Sequence, residues 1–181
     1  MENAQPNPLS RYFRQPAIYL KLPSDGRWWA PGAIDVPDNR ELPIYPMTAK
    51  DEITLKTPDA LMNGQGMVNV IQSCVPNIKN AWATPSIDLD AILISIRLAT
   101  YGSNMDFETE CTHCNTKNLH GIDLTEPLSQ IICPDFGRYV RYKDLQIRLR
   151  PQTYKQISEA SLVAYEEQRI NSALIDQNIS E

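Results

Sequence analysis

The segment from Asp88 to Tyr101 constrains the fold of this chain more than any other, because it predicts a helix that is apolar on nearly every side. A helix with this pattern is buried within a protein. Ser86 can cap its start, Asp88 and Asp90 are favoured by the positive end of the helix dipole, and Gly102 can end the helix. We therefore expect this helix to be the centre of the hydrophobic core. Its apolar residues are Leu89, Ala91, Ile92, Leu93, Ile94, Ile96 and Leu98.

The first third of the chain is rich in proline, which breaks helices and is excluded from central strands. Of the 14 prolines, most lie between Pro6 and Pro58. Residues 1–48 are therefore predicted to be an extended arm that docks on something else rather than forming a core of its own. Within this arm, residues 17–22 are predicted to be a strand that pairs with residues 27–29 in a hairpin. Residues 42–47 are at best an edge strand.

The remainder of the chain predicts two small hairpins and a long helix. Alternating residues flank a Cys-x-x-Cys sequence at 111–114, and a second alternating pair flanks Lys143-Asp144. Residues 152–178 have the spacing of an amphipathic helix. We therefore expect an α+β protein with an N-terminal arm (1–48), a helical core (49–103), a two-hairpin β region (104–150) and a C-terminal amphipathic helix (151–181).

Charge and composition exclude several classes of function. The formal net charge is −5, which argues against a dedicated nucleic-acid-binding protein, because such proteins neutralise phosphates. The first ten residues lack the apolar segment of a signal peptide, and the longest apolar stretch is too short to span a membrane. The sequence therefore predicts a protein that is soluble in the cytoplasm where it is made, without stable disulfides.

Cys111 and Cys114 form the strongest local signal for a bound metal. Two thiolates at this spacing can wrap around one Zn²⁺, whose tetrahedral site takes four nitrogen or sulfur ligands. A second Cys-x-x-Cys pair is missing, so His120 and Cys133 are the predicted remaining ligands of one zinc ion, with His113 as a further candidate. Two alternatives stay open: a turn of the same shape that holds no metal, and two free thiols.

The residue types that catalysis requires are scarce in this sequence. The two histidines, His113 and His120, both lie beside the Cys-x-x-Cys sequence, and no nucleophile elbow, phosphate-binding glycine loop or HExxH sequence is present. Cys74 follows an apolar helix face and is interpreted as a core residue. We therefore expect no enzymatic activity. The alternative functions are a zinc-ribbon regulatory module and a small hydrolase.

Two groups of residues are predicted to bind a partner protein. Aromatic residues concentrate in the first third, and aromatics with arginine are enriched where interfaces gain most of their binding energy. A basic cluster of Arg138, Arg141, Lys143, Arg148 and Arg150 lies across the second hairpin, either as a solvated face or as a docking face for an acidic partner. The predicted partner-binding residues are Tyr12, Phe13, Trp28, Trp29, Arg138, Arg141 and Arg148.

Several spaced sequences resemble one known family. They are 55–64 (LKTPDALMNG), 70–75 (VIQSCV), 87–93 (IDLDAIL), 96–102 (IRLATYG), the Cys-x-x-Cys sequence, 118–124, and 147–154 (IRLRPQTY). In this order, and over roughly residues 45–175, the chain resembles the baseplate hub proteins of T-even-like contractile-tailed bacteriophages. The match of several motifs in sequence is more specific than any one of them.

This resemblance implies a structural component or assembly factor of a phage tail baseplate, without enzymatic activity. Its partners would be other baseplate and tail proteins in a hetero-oligomeric, multi-copy assembly, with no nucleic acid and no membrane, and its location would be the virion. The family often surrounds the Cys-x-x-Cys hairpin with a fuller zinc knuckle, whose second ligand pair this chain lacks.

Overall fold

The computed structural model describes residues 14–58 and 63–179, with side chains as far as residue 172. Tyr12 and Phe13 therefore lie outside the described residues. Mixed helices and antiparallel hairpins make up an α+β fold. The strands are β1 (Ile18–Lys21), β2 (Glu41–Ile44), β3 (Asn104–Glu110), β4 (Lys117–Asp123), β5 (Tyr139–Tyr142) and β6 (Leu145–Arg148). The helices are α1 (Ala49–Leu55), α2 (Gln65–Cys74), α3 (Ser86–Tyr101), α4 (Thr125–Gln130) and α5 (Tyr154–Ile179), with a 3-10 turn at Ala81–Ala83.

Helix α3 lies in the hydrophobic core, as its apolar pattern predicts. Leu89, Ile92 and Ile96 are buried, and they belong to one cluster with the apolar side of α2. Its first turn differs from the prediction, since Pro85 occupies the N-cap position and makes no side-chain cap. Asp88 is fully buried and accepts hydrogen bonds from residues far away in the chain. Asp88 therefore lies in the first turn of the helix, as predicted, but the predicted capping role is wrong because its carboxylate bonds to Ser24 and Trp29.

Strands β1 and β2 pair antiparallel and enter the core. Ile18 lies opposite Ile44, and Leu20 lies opposite Leu42. The side chains of Leu20, Leu42 and Ile44 are buried in the same cluster as α3. The structure thus differs from the predicted arm over this part, because alternation places enough apolar side chains on one face to pack against the helices.

The predicted pairing of residues 17–22 with residues 27–29 is wrong. Asp25, Gly26 and Trp28 all have positive φ, so the chain makes successive turns there rather than a strand. Strand β1 instead pairs with β2, which carries Pro43 and is the edge strand that the sequence predicts.

The two later hairpins and the C-terminal helix are present where the sequence predicts them. β3 pairs with β4 around the turn that holds Cys111 and Cys114, and β5 pairs with β6 around Lys143-Asp144. All eight residues of β5 and β6 are exposed.

Helix α5 begins at Tyr154, whose ring stacks on Trp82 with centroids 5.4 Å apart. Among the described residues, no helix combines the length and apolar character that a membrane crossing requires.

Candidate partner-binding surface

The turn that follows β1 is attached to the core through Asp88. The backbone N–H of Ser24 donates to Oδ1 at 2.9 Å, while the Ser24 hydroxyl and Trp29 Nε1 donate to Oδ2 at 2.5 and 2.8 Å. Burial raises the pKa of Asp88 above its ordinary value, and the hydrogen bonds from Ser24 and Trp29 oppose that effect. These three bonds fix the position of residues 24–29 on helix α3.

Trp28 lies next to this anchored residue in a left-handed conformation, with φ of 72°. Such a conformation is a genuine outlier for a bulky residue, and it persists only where the surrounding structure holds it. The half-buried indole meets Phe136 edge to face, with ring centroids 5.6 Å apart and planes at 75°. The turn therefore presents one tryptophan to the surface while its neighbour, Trp29, bonds inward.

Two open cavities lie on either side of Trp28. The first, of about 340 Å³, is lined by Arg27, Trp28, Cys133, Pro134, Asp135, Phe136, Gly137 and Arg148. The second, of about 540 Å³, is lined by Trp28, Trp29, Arg150, Pro151, Gln152, Thr153 and Gln156. We call the combined region the Trp28 surface, defined by Arg27, Trp28, Trp29, Phe136, Arg148 and Arg150.

The Trp28 surface is positively charged. Arg27 Nε donates to the carbonyl of Ser24 at 3.0 Å, which orients its guanidinium. Asp135 is the acid that lines the first cavity, and it forms a 3.0 Å ion pair with Arg138. In the part of the chain that the structure describes, neither Arg148 nor Arg150 forms an ion pair. The surface therefore offers exposed guanidinium groups beside an aromatic ring.

The structure brings together part of the predicted partner-binding set. Trp28, Trp29 and Arg148 line adjoining cavities although they are about 120 positions apart in the sequence. Arg138 lies beside the first cavity through its pair with Asp135. Arg148 lies opposite Tyr139, and Tyr139 and Arg141 are two positions apart in β5. Because side chains alternate along a strand, Arg141 and Arg148 therefore share one face of the second hairpin. Whether these residues bind a partner stays a prediction.

Three members of the surface, Arg27, Phe136 and Arg150, are absent from the sequence-based set. Phe136 lies in the loop at 131–138, which carries no helical or strand periodicity that could single it out. Arg27 lies in the segment that the sequence predicts to be a strand, where the structure has turns. The adjacency of Arg27 to the two tryptophans was the one signal that could have pointed to it.

The predicted zinc ligands are not gathered into one site. Cys111 and Cys114 both lie in the β3–β4 turn, where the Cys114 thiol is hydrogen-bonded to the Thr116 hydroxyl at 3.2 Å. The ring of His120 stacks on Phe107, and its Nε2 lies 3.0 Å from the Thr109 hydroxyl.

Cys133 lies elsewhere, because it lines the first cavity beside Trp28. Within residues 14–58 and 63–179, no three Cys, His, Asp or Glu side chains are grouped so that they could hold a metal ion. The pair of thiols supplies half of a tetrahedral shell, so these residues do not fit a closed zinc site within one chain. Bound zinc stays a prediction for elemental analysis to test.

Comparison with known proteins gives one match. A family model described as T4 bacteriophage base plate protein matches residues 17–181. No match was found among curated proteins or among solved structures. The matched range includes the Trp28 surface, both later hairpins and all of the core helices.

Proposed function

Because the chain belongs to the T4 bacteriophage base plate protein family, and is thus a phage baseplate structural protein, we propose that it holds neighbouring tail proteins together through the Trp28 surface. The role is non-catalytic, either as a permanent part of a contractile-tail baseplate or as a factor that assists its assembly. Its partners are other tail proteins, with which it forms a hetero-oligomeric, multi-copy assembly in the virion.

The observation that carries this proposal is the convergence of Trp28 with Arg148 and Arg150 around two open cavities. Tryptophan and arginine are the residue types most enriched where protein interfaces gain their binding energy. A tryptophan held by its neighbours in one conformation loses little entropy when a partner covers it. The cavities are open to the surface, so that a protruding side chain of another protein can enter them.

Charge supports a protein partner with acidic groups. The chain as a whole carries −5, yet the described residues of the Trp28 surface carry three arginines. Arginine pairs with carboxylates through two parallel hydrogen bonds, which adds both energy and orientation. A partner that contributes Asp or Glu side chains beside an apolar side chain matches this surface.

The test is assembly of tails by phage that carry variants of this protein. Arg148→Glu reverses a charge on the surface and is expected to lower the yield of complete tails by about tenfold or more, as loss of an interface anchor does. The matched control is Arg169→Glu, at an arginine of helix α5 that is also exposed. Equal yields from the two variants would refute the proposal.

A second pair of variants tests the aromatic anchor. Trp28→Ala is compared with Tyr19→Ala, because Tyr19 is an aromatic residue of β1 that is 61% exposed. Thermal unfolding of both purified variants shows whether the fold is retained. A folded Trp28→Ala protein that assembles tails as well as Tyr19→Ala does would show that Trp28 is not a binding residue.

A further inference from the structure

The second hairpin has one face that is apolar throughout. Val140 lies opposite Ile147, and Tyr142 lies opposite Leu145. Because side chains alternate along a strand, these two pairs share one face, and the intervening pairs of Tyr139 with Arg148 and of Arg141 with Gln146 share the other. The four side chains of the apolar face are between 40% and 62% exposed. We call this the β5–β6 apolar face.

An exposed face of this kind is unusual for a two-stranded hairpin. A hairpin needs a packed face or a third strand for its own stability in water. Both strands here are exposed along their whole length, so no part of the described chain covers the apolar face. Contiguous apolar surface with a polar rim marks a site of interaction with another molecule.

The hairpin that carries this face is strongly basic, although Arg138 is paired with Asp135. Residues 138–150 contain five basic side chains and one acidic side chain, Asp144, which gives this segment a net charge of +4 in a chain of −5. Lys143 in the turn lies with its ammonium group 5.5 Å from the centre of the Tyr142 ring. The face therefore combines apolar contact area with positive charge at the turn and along the reverse side.

We propose that the β5–β6 apolar face docks on an apolar segment, flanked by Asp or Glu side chains, of a different tail protein. Positive and negative potentials that meet across an interface steer association and fix its register. A symmetric contact between two copies through this face would bring together two hairpin segments that each carry a net charge of +4, which is unfavourable. This inference rests on the proposed function, since it takes the partner to be another protein of the tail.

The experiment places the photo-crosslinking residue p-benzoylphenylalanine at position 142 of the full-length protein during phage assembly. Separate chains carry it at position 28, in the Trp28 surface, and at position 119, where Leu119 is 76% exposed on the polar face of the first hairpin. Cross-linked peptides are identified by mass spectrometry. The expected result at position 142 is a defined segment of another tail protein that contains apolar residues and net negative charge.

The outcomes separate this inference from the proposed function. Cross-links from position 28 with none from position 142 would overturn the inference and leave the proposed function standing, while silence at both positions would refute both. Cross-links from position 142 to a second copy of this chain, or to a segment without net negative charge, would also overturn the inference.

Variants provide an independent measure. Leu145→Glu is expected to lower cross-linking from position 142 by about tenfold or more, because it places a carboxylate in the apolar contact. Leu119→Glu makes the same change at an exposed leucine outside this face and is expected to leave cross-linking within about twofold of the unchanged protein. Equal effects of the two variants would contradict the proposed contact. Circular dichroism of both purified variants establishes that the fold is kept.

Discussion

The indole Nε1 of Trp29 donates a 2.8 Å hydrogen bond to the buried carboxylate of Asp88, across 59 positions of the chain. Ser24 donates two further bonds to the same carboxylate. Asp88 lies in the first turn of α3, where the helix dipole also favours negative charge. A buried carboxylate without a cationic partner is tolerated when it is hydrogen-bonded in this way. This network connects a helix of the hydrophobic core to the turn that displays Trp28.

The first prediction concerns this hydrogen bond. Trp29→Phe removes the indole donor and is expected to lower the free energy of unfolding by about 1.5–3 kcal/mol, the range for hydrogen bonds to charged groups. Urea denaturation of the purified protein measures the change. The control is Trp28→Phe, which keeps an aromatic ring against Phe136. A loss for Trp29→Phe no larger than that of Trp28→Phe would show that the bond contributes little.

The sequence predicts the elements whose signals are local. Helix α3 is recognisable because its own residues are apolar on nearly every side. The two later hairpins are recognisable because apolar and polar residues alternate on both sides of a turn. The family is recognisable because several motifs occur in a fixed order. These features depend on residues that are close together in the chain.

The contacts that the sequence does not predict are those between distant residues. The position of Asp88 in the helix predicts only a role at the helix start, whereas its hydrogen-bond partner Ser24 lies 64 positions earlier in the chain. The pairing of β1 with β2 skips a segment of turns, and no local pattern specifies which strand β1 joins. The Trp28 surface combines residues from three separate segments. Their proximity depends on tertiary packing, which periodicity and turn signals do not encode.

The second prediction is a pH dependence of stability through Asp88. Burial raises the pKa of Asp88 above its ordinary value of 3.8, so the native state binds this proton more tightly than the unfolded chain does. The contribution of Asp88 to stability is therefore largest below pH 3.8 and decreases as the pH rises through the native pKa. The stability of the wild-type protein relative to Asp88→Asn should fall over this window. Urea denaturation at a series of pH values measures the difference.

The contribution of Asp51 to stability is expected to change with pH in the opposite direction, so Asp51 serves as the control. Burial opposes its ionisation, but hydrogen bonds from Thr48 and Ser73 and the charge of Arg14 outweigh burial and hold its pKa below 3.8. Its contribution is present above pH 3.8 and is lost as the pH falls through the native pKa. Wild-type stability relative to Asp51→Asn should therefore increase with pH. Parallel trends for the two variants would contradict these assignments.

The third prediction concerns the close approach of α5 to Gly64. Gly64 has φ of +73°, and a Cβ there would lie 2.6 Å from Ser158 Oγ and 2.9 Å from Trp82 Cη2. Gly64→Ala is expected to lower the free energy of unfolding by about 2–4 kcal/mol, from backbone strain and overpacking together. Thermal or urea unfolding measures the loss.

Gly32 provides a matched control for the strain alone. Its φ is +76°, and a Cβ there would meet nothing within 4 Å. Gly32→Ala should therefore lower the free energy of unfolding by only about 1–2 kcal/mol, the cost of an alanine in the left-handed conformation. Equal losses at the two positions would mean that α5 does not press against Gly64.

The fourth prediction distinguishes the thiols of the chain. A hydrogen bond with Thr116 lowers the pKa of Cys114, which is exposed in the β3–β4 turn. Cys74 is buried, and burial raises the pKa of its thiol although Arg14 opposes this effect. Because the thiolate is the reactive form, iodoacetamide should alkylate Cys114 at least about 100-fold faster than Cys74 in the native protein. Mass spectrometry of digested samples taken over time gives both rates.

The same labelling reaction tests the zinc prediction. A zinc ion held by Cys111 and Cys114 would block alkylation of both thiols until a chelator removed it, since the metal holds the thiolates as ligands. Elemental analysis of that protein would then show one zinc per chain. Rapid labelling of Cys114 without chelator, together with no stoichiometric zinc, would end the zinc prediction. The expected difference in alkylation rate depends on the burial of Cys74. Similar rates for Cys114 and Cys74 in the native protein, with the same ratio of rates in urea, would contradict that burial.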